Sequence, residues 1–267
     1  AAAANTSAAA RAQLPPLVDP ATAQHLAGKV IWLDLVAPQL DSVERFYSGL
    51  LGWSFRTTQI GGRNYATAWL DGQPVAGLVQ RAPPPGGRRR PVWLTFLSVN
   101  DVDAAKRLAL QHGAKLLADI RDYPQRGRQA IFADPQGAVF AVLASSAGDP
   151  PDDLPDAGEW IWSALLTGDP DREAAFYQAV FGYDVFDVAG GSGDGSDHII
   201  LSSDNYARES VNQFSGNRRR RRPHWLNFVR VADVSAAADK AVTLGGQVVV
   251  QPHADREGNR MAVIVDP

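Results

Sequence analysis

The chain states its pattern twice. Trp32-Leu33-Asp34-Leu35, then Phe46-Tyr47, then Leu51-Gly52-Trp53 return 130 positions later as Trp162-Ser163-Ala164-Leu165, Phe176-Tyr177 and Phe181-Gly182-Tyr183. Trp93-Leu94-Thr95-Phe96 with Asp101-Val102 return 132 positions later as Trp225-Leu226-Asn227-Phe228 with Asp233-Val234. Asp134-Pro135 returns as Asp266-Pro267. Landmarks recurring in one order at nearly one period mean a duplicated domain, which limits the fold to two copies of one architecture.

The 267 residues suffice for two domains with separate cores, and 45% apolar with 21% charged residues is a globular composition. No run approaches the roughly 18 apolar residues of a membrane span. The net charge of −3 gives no global attraction to nucleic acid or anionic membrane. The absence of cysteine excludes disulfides, thiol nucleophiles and thiolate metal sites. Residues 1–27, Ala-rich and then Pro-rich, read as a flexible, unpacked leader. Two origins stay open for it: the stretch left by a removed signal peptide, giving an exported or periplasmic bacterial protein, or the tail of a cytoplasmic one.

Domain one is expected over 28–147. Val30–Val36 reads as a buried strand. Asp41–Leu51 carries apolar residues at helical spacing and stops at Gly52. Strands follow near Trp53–Thr58, Asn64–Leu70 and Val75–Gln80. The order then restarts with a strand at Val92–Val99, a helix at Val102–His112 and strands near Ala114–Ile120, Arg128–Ala133 and Ala138–Leu143. Each domain is thus two β-α-β-β-β units, an α+β class. Residues 148–158, acidic and Pro-rich, read as a linker, and 159–267 as domain two. The counterpart of Ala138–Leu143 falls beyond Pro267, so the last strand of domain two is missing from the sequence.

Paired units of this kind resemble the vicinal oxygen chelate superfamily, which includes glyoxalase I, extradiol dioxygenases and bleomycin-resistance proteins. The resemblance rests on Phe-Tyr on the first helix, Asp-Val before the second and Asp-Pro-x-Gly before the last strand, over residues 29–267. It implies tandem glyoxalase-like domains in which two units form a cupped mixed sheet with helices outside. In metal-dependent members, His, Gln or Glu side chains face the cup at set strand positions. Carried onto this chain, those positions fall on Trp32, Leu94 and Ala141 in domain one and on Trp162 and Leu226 in domain two. None of these side chains offers a lone pair to a divalent ion. The resemblance therefore implies the cup and not its metal. A metal would have to be recruited atypically, from His198, His224 or His253.

Strand alternation puts Asp34 on the face of Trp32, above a floor of Leu94, Phe96 and Ala141. A buried carboxylate must be paired, hydrogen-bonded or protonated. Asp34 therefore reads as a ligand anchor or general base, or as a wet-mouth or structural group paired with an Arg such as Arg128. In domain two the same face carries Trp162, Leu226, Phe228 and Arg230, with Arg230 either holding an anionic group or reaching the rim. Trp32 and Trp162 read as stacking surfaces or as packing. Trp93 and Trp225 should face the helices.

Arg88-Arg89-Arg90 and Arg218-Arg219-Arg220-Arg221-Arg222 occupy equivalent crossovers behind glycine-containing turns. They read as a patch for an anionic partner or as solvated loops balanced by Asp152, Asp153 and Asp156. Without interleaved aromatics they do not resemble a nucleic-acid surface. The loop Gly190–Gly195 reads as a hairpin connection. Three functions follow. The first is a metal-free small-molecule-binding protein of the glyoxalase/bleomycin-resistance type, holding an apolar or aromatic ligand in an aromatic-floored cup with no cofactor. The second is a metal-dependent lyase, isomerase or dioxygenase with an atypical site. The third is an interaction module using the Arg loops.

Overall fold

In the computed structural model, which describes residues 13–87, 90–188, 198–214, 221–255 and 258–267, the duplication resolves into four consecutive units. The first holds β1 (Val30–Ala37), α1 (Asp41–Leu51), β2 (Ser54–Ile60), β3 (Arg63–Leu70) and β4 (Gln73–Gln80). The second holds β5 (Val92–Ser98), α2 (Val102–Gln111), β6 (Lys115–Tyr123), β7 (Gly127–Ala133) and β8 (Val139–Ser145). Domain two repeats this order with β9 (Trp160–Thr167), α3 (Pro170–Phe181), β10 (Asp184–Asp187), β11 (His198–Ser203) and β12 (Tyr206–Gln213). The fourth unit has β13 (His224–Val229), α4 (Val234–Thr243), β14 (Gln247–Ala254) and β15 (Arg260–Val265).

Domain one is a single mixed sheet of eight strands in the order β2-β3-β4-β1-β5-β8-β7-β6. β1 runs parallel to β4 and antiparallel to β5, and β5 runs parallel to β8. In domain two, β10-β11-β12-β9-β13 forms one sheet and β14-β15 a separate ladder. The two halves of the domain-one sheet meet at the β1-β5 pair, and within the second half β8 joins β5 to the β7-β6 hairpin.

The recurring landmarks have mechanical explanations. Asp101 caps α2 by accepting the Ala104 N–H at 3.0 Å, and Asp233 caps α4 by accepting from Ala236 at 2.9 Å. Gly52 and Gly182 end α1 and α3 in the left-handed region, at φ 73° and 74°, where a glycine costs least. Asp134 accepts the backbone N–H groups of Gln136 and Ala138 and so shapes the turn into β8.

Other landmarks tie one domain to the other. Tyr47 on α1 donates to Asp266 at 2.5 Å, and Tyr177 on α3 donates to Asp134 at 2.9 Å. Trp93 donates to Tyr47, and Trp225 packs edge-on against Tyr177. Thr95 and Asn227, at equivalent positions of the two repeats, hydrogen-bond to each other. The cores follow the same crossing. Apolar residues of α2, β7 and β8 share a cluster with Phe176, Tyr177 and Phe181 of α3, while those of α1, β3 and β4 pack against Ala241, Val229 and Ile264 of the fourth unit.

Residues 13–27 depart from the unpacked leader expected of them. Leu14, Leu17 and Leu26 are buried. Thr22 and Ala23 donate backbone bonds to Ala147, and Asp149 donates to Gln24. Prolines and small residues gave no periodicity here, yet their apolar side chains find cover on domain one. The 148–158 segment is likewise fastened. Asp149 is fully buried and accepts from the Leu26 N–H and the Ser98 hydroxyl. Asp152 pairs with Lys29 and with the buried Arg208.

Candidate functional site

The register of the central ladder decides what faces the cup of domain one. Trp32 stands opposite Phe96, and Asp34 opposite Leu94, across the antiparallel β1-β5 pair. Phe96 stands beside Ala141 across the parallel β5-β8 pair. Residues paired in a ladder project to one side of the sheet, so Trp32, Asp34, Leu94, Phe96 and Ala141 form one surface. With Leu17, Ile31 and Leu143, the apolar four of these make a separate buried cluster. Leu35, on the other parity, packs with α1. Trp93 belongs to the helix-side cluster around α1, and Trp225 to the one that α2 and α3 share.

Asp34 is 7% exposed. Its Oδ1 accepts the Trp32 indole N–H at 2.8 Å and the Tyr65 hydroxyl at 2.8 Å. Burial pushes its carboxyl up, against the opposing pull of the Arg126 charge and those two bonds. Tyr65, wholly enclosed beside Asp34, is pushed up and stays a neutral donor. The cation near Asp34 is Arg126 and not Arg128, whose partners are Asp103 and Asp122 on the outside of the domain. Arg126 follows Gln125, a turn residue at φ 70°, and reaches inward from the β6-β7 connection. Its guanidinium lies 4.3 Å from the centre of the Trp32 ring, and Nη1 donates to the Tyr65 hydroxyl at 3.4 Å. Nε donates to the Pro15 carbonyl at 3.0 Å, while Nη2 is buried with no hydrogen-bond partner among the described residues.

Three participants escaped the sequence reading. Tyr65 and Arg126 lie on elements far from the landmarks. The third, Gly77 on β4, matters because it lacks a side chain: a methyl there would overlap the Tyr65 hydroxyl and the Asp34 carboxylate. Gly77 is paired with Asp34 across β1-β4, so its bareness is what lets the two polar side chains meet. A glycine inside an apolar strand was the one available sign.

The cup of domain two has the same register and other chemistry. Phe228 stands opposite Trp162 and Leu226 opposite Ala164, while Ser210 pairs with Ala164 from the parallel side. The Trp162 indole N–H, lacking an Asp34 equivalent, donates to the Ser210 hydroxyl at 3.1 Å. Trp162, Leu226 and Phe228 are only partly covered, unlike Trp32 and Phe96. Arg230, expected on this face, is exposed. It lies past the irregularity at Phe228/Val229, where it donates to the Pro155 carbonyl of the linking segment. His198 approaches Asn212 at 2.7 Å, while His224 and His253 are exposed and bond neighbouring backbone carbonyls.

The fit to a divalent metal is poor on the donor set alone. Indole, isobutyl and methyl groups stand at the positions that the family resemblance assigns to ligands, and among the described residues no three His, Cys, Asp or Glu side chains converge. Of the arginine runs, Arg90, Arg221 and Arg222 are exposed. Arg88, Arg89, Arg218, Arg219 and Arg220, and the Gly190–Gly195 loop, lie outside the described residues. No described helix is long and apolar enough to cross a membrane.

A duplicated βαβββ architecture with an inward-facing cup in each half is that of the vicinal oxygen chelate fold. The chain belongs to the glyoxalase-like domain family, whose pattern matches residues 30–143 and again 162–267. It is 28% identical to the protein CFP32 of Mycobacterium tuberculosis (strain CDC 1551 / Oshkosh), over 93% of this chain and 94% of that one. It is 30% identical to the anthracycline biosynthesis protein DauV of Streptomyces sp. (strain C5), over 90% of each. Among solved structures, the Mn(II)-bound glyoxalase from Novosphingobium aromaticivorans superposes with a TM-score of 0.61 at 18% identity, over 91% of this chain and 80% of that one. The 2,3-dioxygenase LapB from Pseudomonas sp. KL28 gives 0.57 at 15% identity, over 91% and 93%. These two likenesses establish the fold.

Proposed function

We propose that this glyoxalase-like protein binds a small apolar or aromatic molecule in its cups without a protein-held metal. The observation that supports this most is the occupancy of the ligating slots by Trp32, Leu94 and Ala141 in one half and Trp162 and Leu226 in the other. Exchanging metal ligands for indole and aliphatic groups turns a polar, charge-stabilising pocket into a surface that gains free energy by covering flat apolar area. The partly covered Trp162, Leu226 and Phe228 form the more accessible floor. A flat aromatic ligand suits that floor, in keeping with a relative named for anthracycline biosynthesis.

Two measurements test the reading. Elemental analysis of protein purified without chelator should give no stoichiometric divalent ion. Titration with planar aromatic compounds should quench tryptophan fluorescence, and Trp162→Phe should remove most of the change. A stoichiometric ion whose removal lowers stability would move the protein to the metal-dependent lyase, isomerase or dioxygenase class. A lack of response to every compound would count against binding altogether.

A further inference from the structure

The domain-one cup is occupied by the chain's own N-terminal segment. Leu17 is 3% exposed and sits in one cluster with Trp32, Leu94, Phe96, Ala141 and Leu143. Two residues earlier, the Pro15 carbonyl takes the Nε–H of Arg126, and Leu14 is buried alongside. An apolar side chain on the aromatic floor and a neutral carbonyl on a buried guanidinium are the two contacts a small carbonyl compound would make there. The segment has no strand or helix of its own. In 14–18, two of the five residues are prolines and lack an N–H, so little backbone hydrogen bonding is lost when it leaves.

Arg126 adds an independent sign. Arg126 is 1% exposed, yet Nη2 has no acceptor among the described residues. Buried guanidinium donors are normally satisfied, since leaving one bare costs free energy. The Pro15 carbonyl thus meets only part of what the site presents.

We propose that the segment Leu14–Leu17 is an intramolecular plug in a second ligand site, and that the ligand displacing it is a flat, neutral molecule carrying a carbonyl oxygen. The oxygen would replace the Pro15 carbonyl at Arg126, and the ring would take the place of Leu17 above Trp32 and Phe96. A neutral acceptor fits because Asp34 already faces the guanidinium across Tyr65. The inference rests on the cups being ligand sites and adds a gate to one of them.

The test uses the full chain, with 9-fluorenone as the flat carbonyl probe and fluorene as the same ring system without the oxygen. Leu17→Ala weakens the plug and leaves the floor intact, and Leu17→Ser is a second variant should the first fold poorly. Binding is read by calorimetry, and hydrogen exchange reports the Leu17 and Val18 amides. Trp162→Phe in every protein keeps domain two from dominating the signal. Fluorenone should bind Leu17→Ala about tenfold more tightly than the plugged parent, because a site that is mostly closed has its apparent affinity reduced by the open fraction. Fluorene should bind less well than fluorenone, and Arg126→Met should erase that difference. In the parent, saturating fluorenone should speed exchange at Val18.

Equal fluorenone affinity in parent and Leu17 variants, with exchange at Val18 unchanged, would overturn the plug and leave binding in domain two untouched. Equal affinity for fluorene and fluorenone would overturn the carbonyl assignment. If no variant binds fluorenone, the inference fails. The general reading of the cups is judged separately, by the compound panel on protein with Trp162 intact.

Discussion

At the scale of single residues, the domain-one cup is a case of polar groups admitted to an apolar surface on strict terms. Asp34 can be buried because Trp32 and Tyr65 both donate to it and Arg126 lies close by. Tyr65→Phe removes one donor and should destabilise the protein by about 1 kcal/mol. Gly77→Ala should cost more, about 1–3 kcal/mol, because the added methyl forces Tyr65 and Asp34 apart inside a packed strand. Urea denaturation of both variants checks the order, and a Gly77→Ala as mild as Tyr65→Phe would mean the strand yields easily. Asp34 was legible from strand parity alone, since Trp32 fixes the face. Its partners were not. Arg128 has the sequence position of a plausible partner, but the turn at Gln125 sends Arg126 inward instead.

At the scale of elements, the capping residues are the landmarks that carry the repeat. Asp101 and Asp233 do the same work at α2 and α4, each accepting one N–H of the first turn. Asp101→Ala and Asp233→Ala should each lower stability by about 1 kcal/mol, while the Asn replacements should be nearly neutral. Thermal unfolding of the four variants compares them. Helices and strands were readable because their signals are local: apolar spacing, a cap before and a glycine after. The packed segment 13–27 was unreadable for the opposite reason. It has no periodicity, and what orders it is the apolar floor and the Ala147 and Asp149 backbone and side-chain groups far along the chain. The same holds for the 148–158 segment, whose composition suggests mobility while Asp149 and Asp152 fasten it to Leu26, Ser98, Lys29 and Arg208.

At the scale of the whole molecule, the two domains exchange their landmarks: each tyrosine on a first helix meets the Asp-Pro aspartate of the other domain. One of these joints holds a proton. Glu173 on α3 is fully buried, and burial followed by the nearby Asp134 carboxylate pushes it from 4.5 up to about 9. The folded chain therefore binds a proton that the unfolded chain releases anywhere between those values. The stability it contributes is fully present below the lower value and is lost as pH rises through about 9. Glu173→Gln, which imitates the protonated form, should leave stability near pH 5 almost unchanged and flatten its decline from pH 6 to 9. Denaturation series across that range test it, and parallel declines in the two proteins would refute the shared proton.

The sequence by itself determined the duplicated βαβββ architecture, the strand faces and the apolar side chains at Trp32, Leu94, Ala141, Trp162 and Leu226. Each of these follows from periodicity or from the identity of one side chain at a counted position. Only the tertiary structure decided which carboxylates meet which tyrosines, that Arg126 rather than Arg128 enters the cup, and that Leu17 fills it. Those outcomes depend on contacts between residues some 15 to 220 positions apart. Such contacts are selected by burial of apolar area and satisfaction of buried donors, and neither leaves a local trace in the chain.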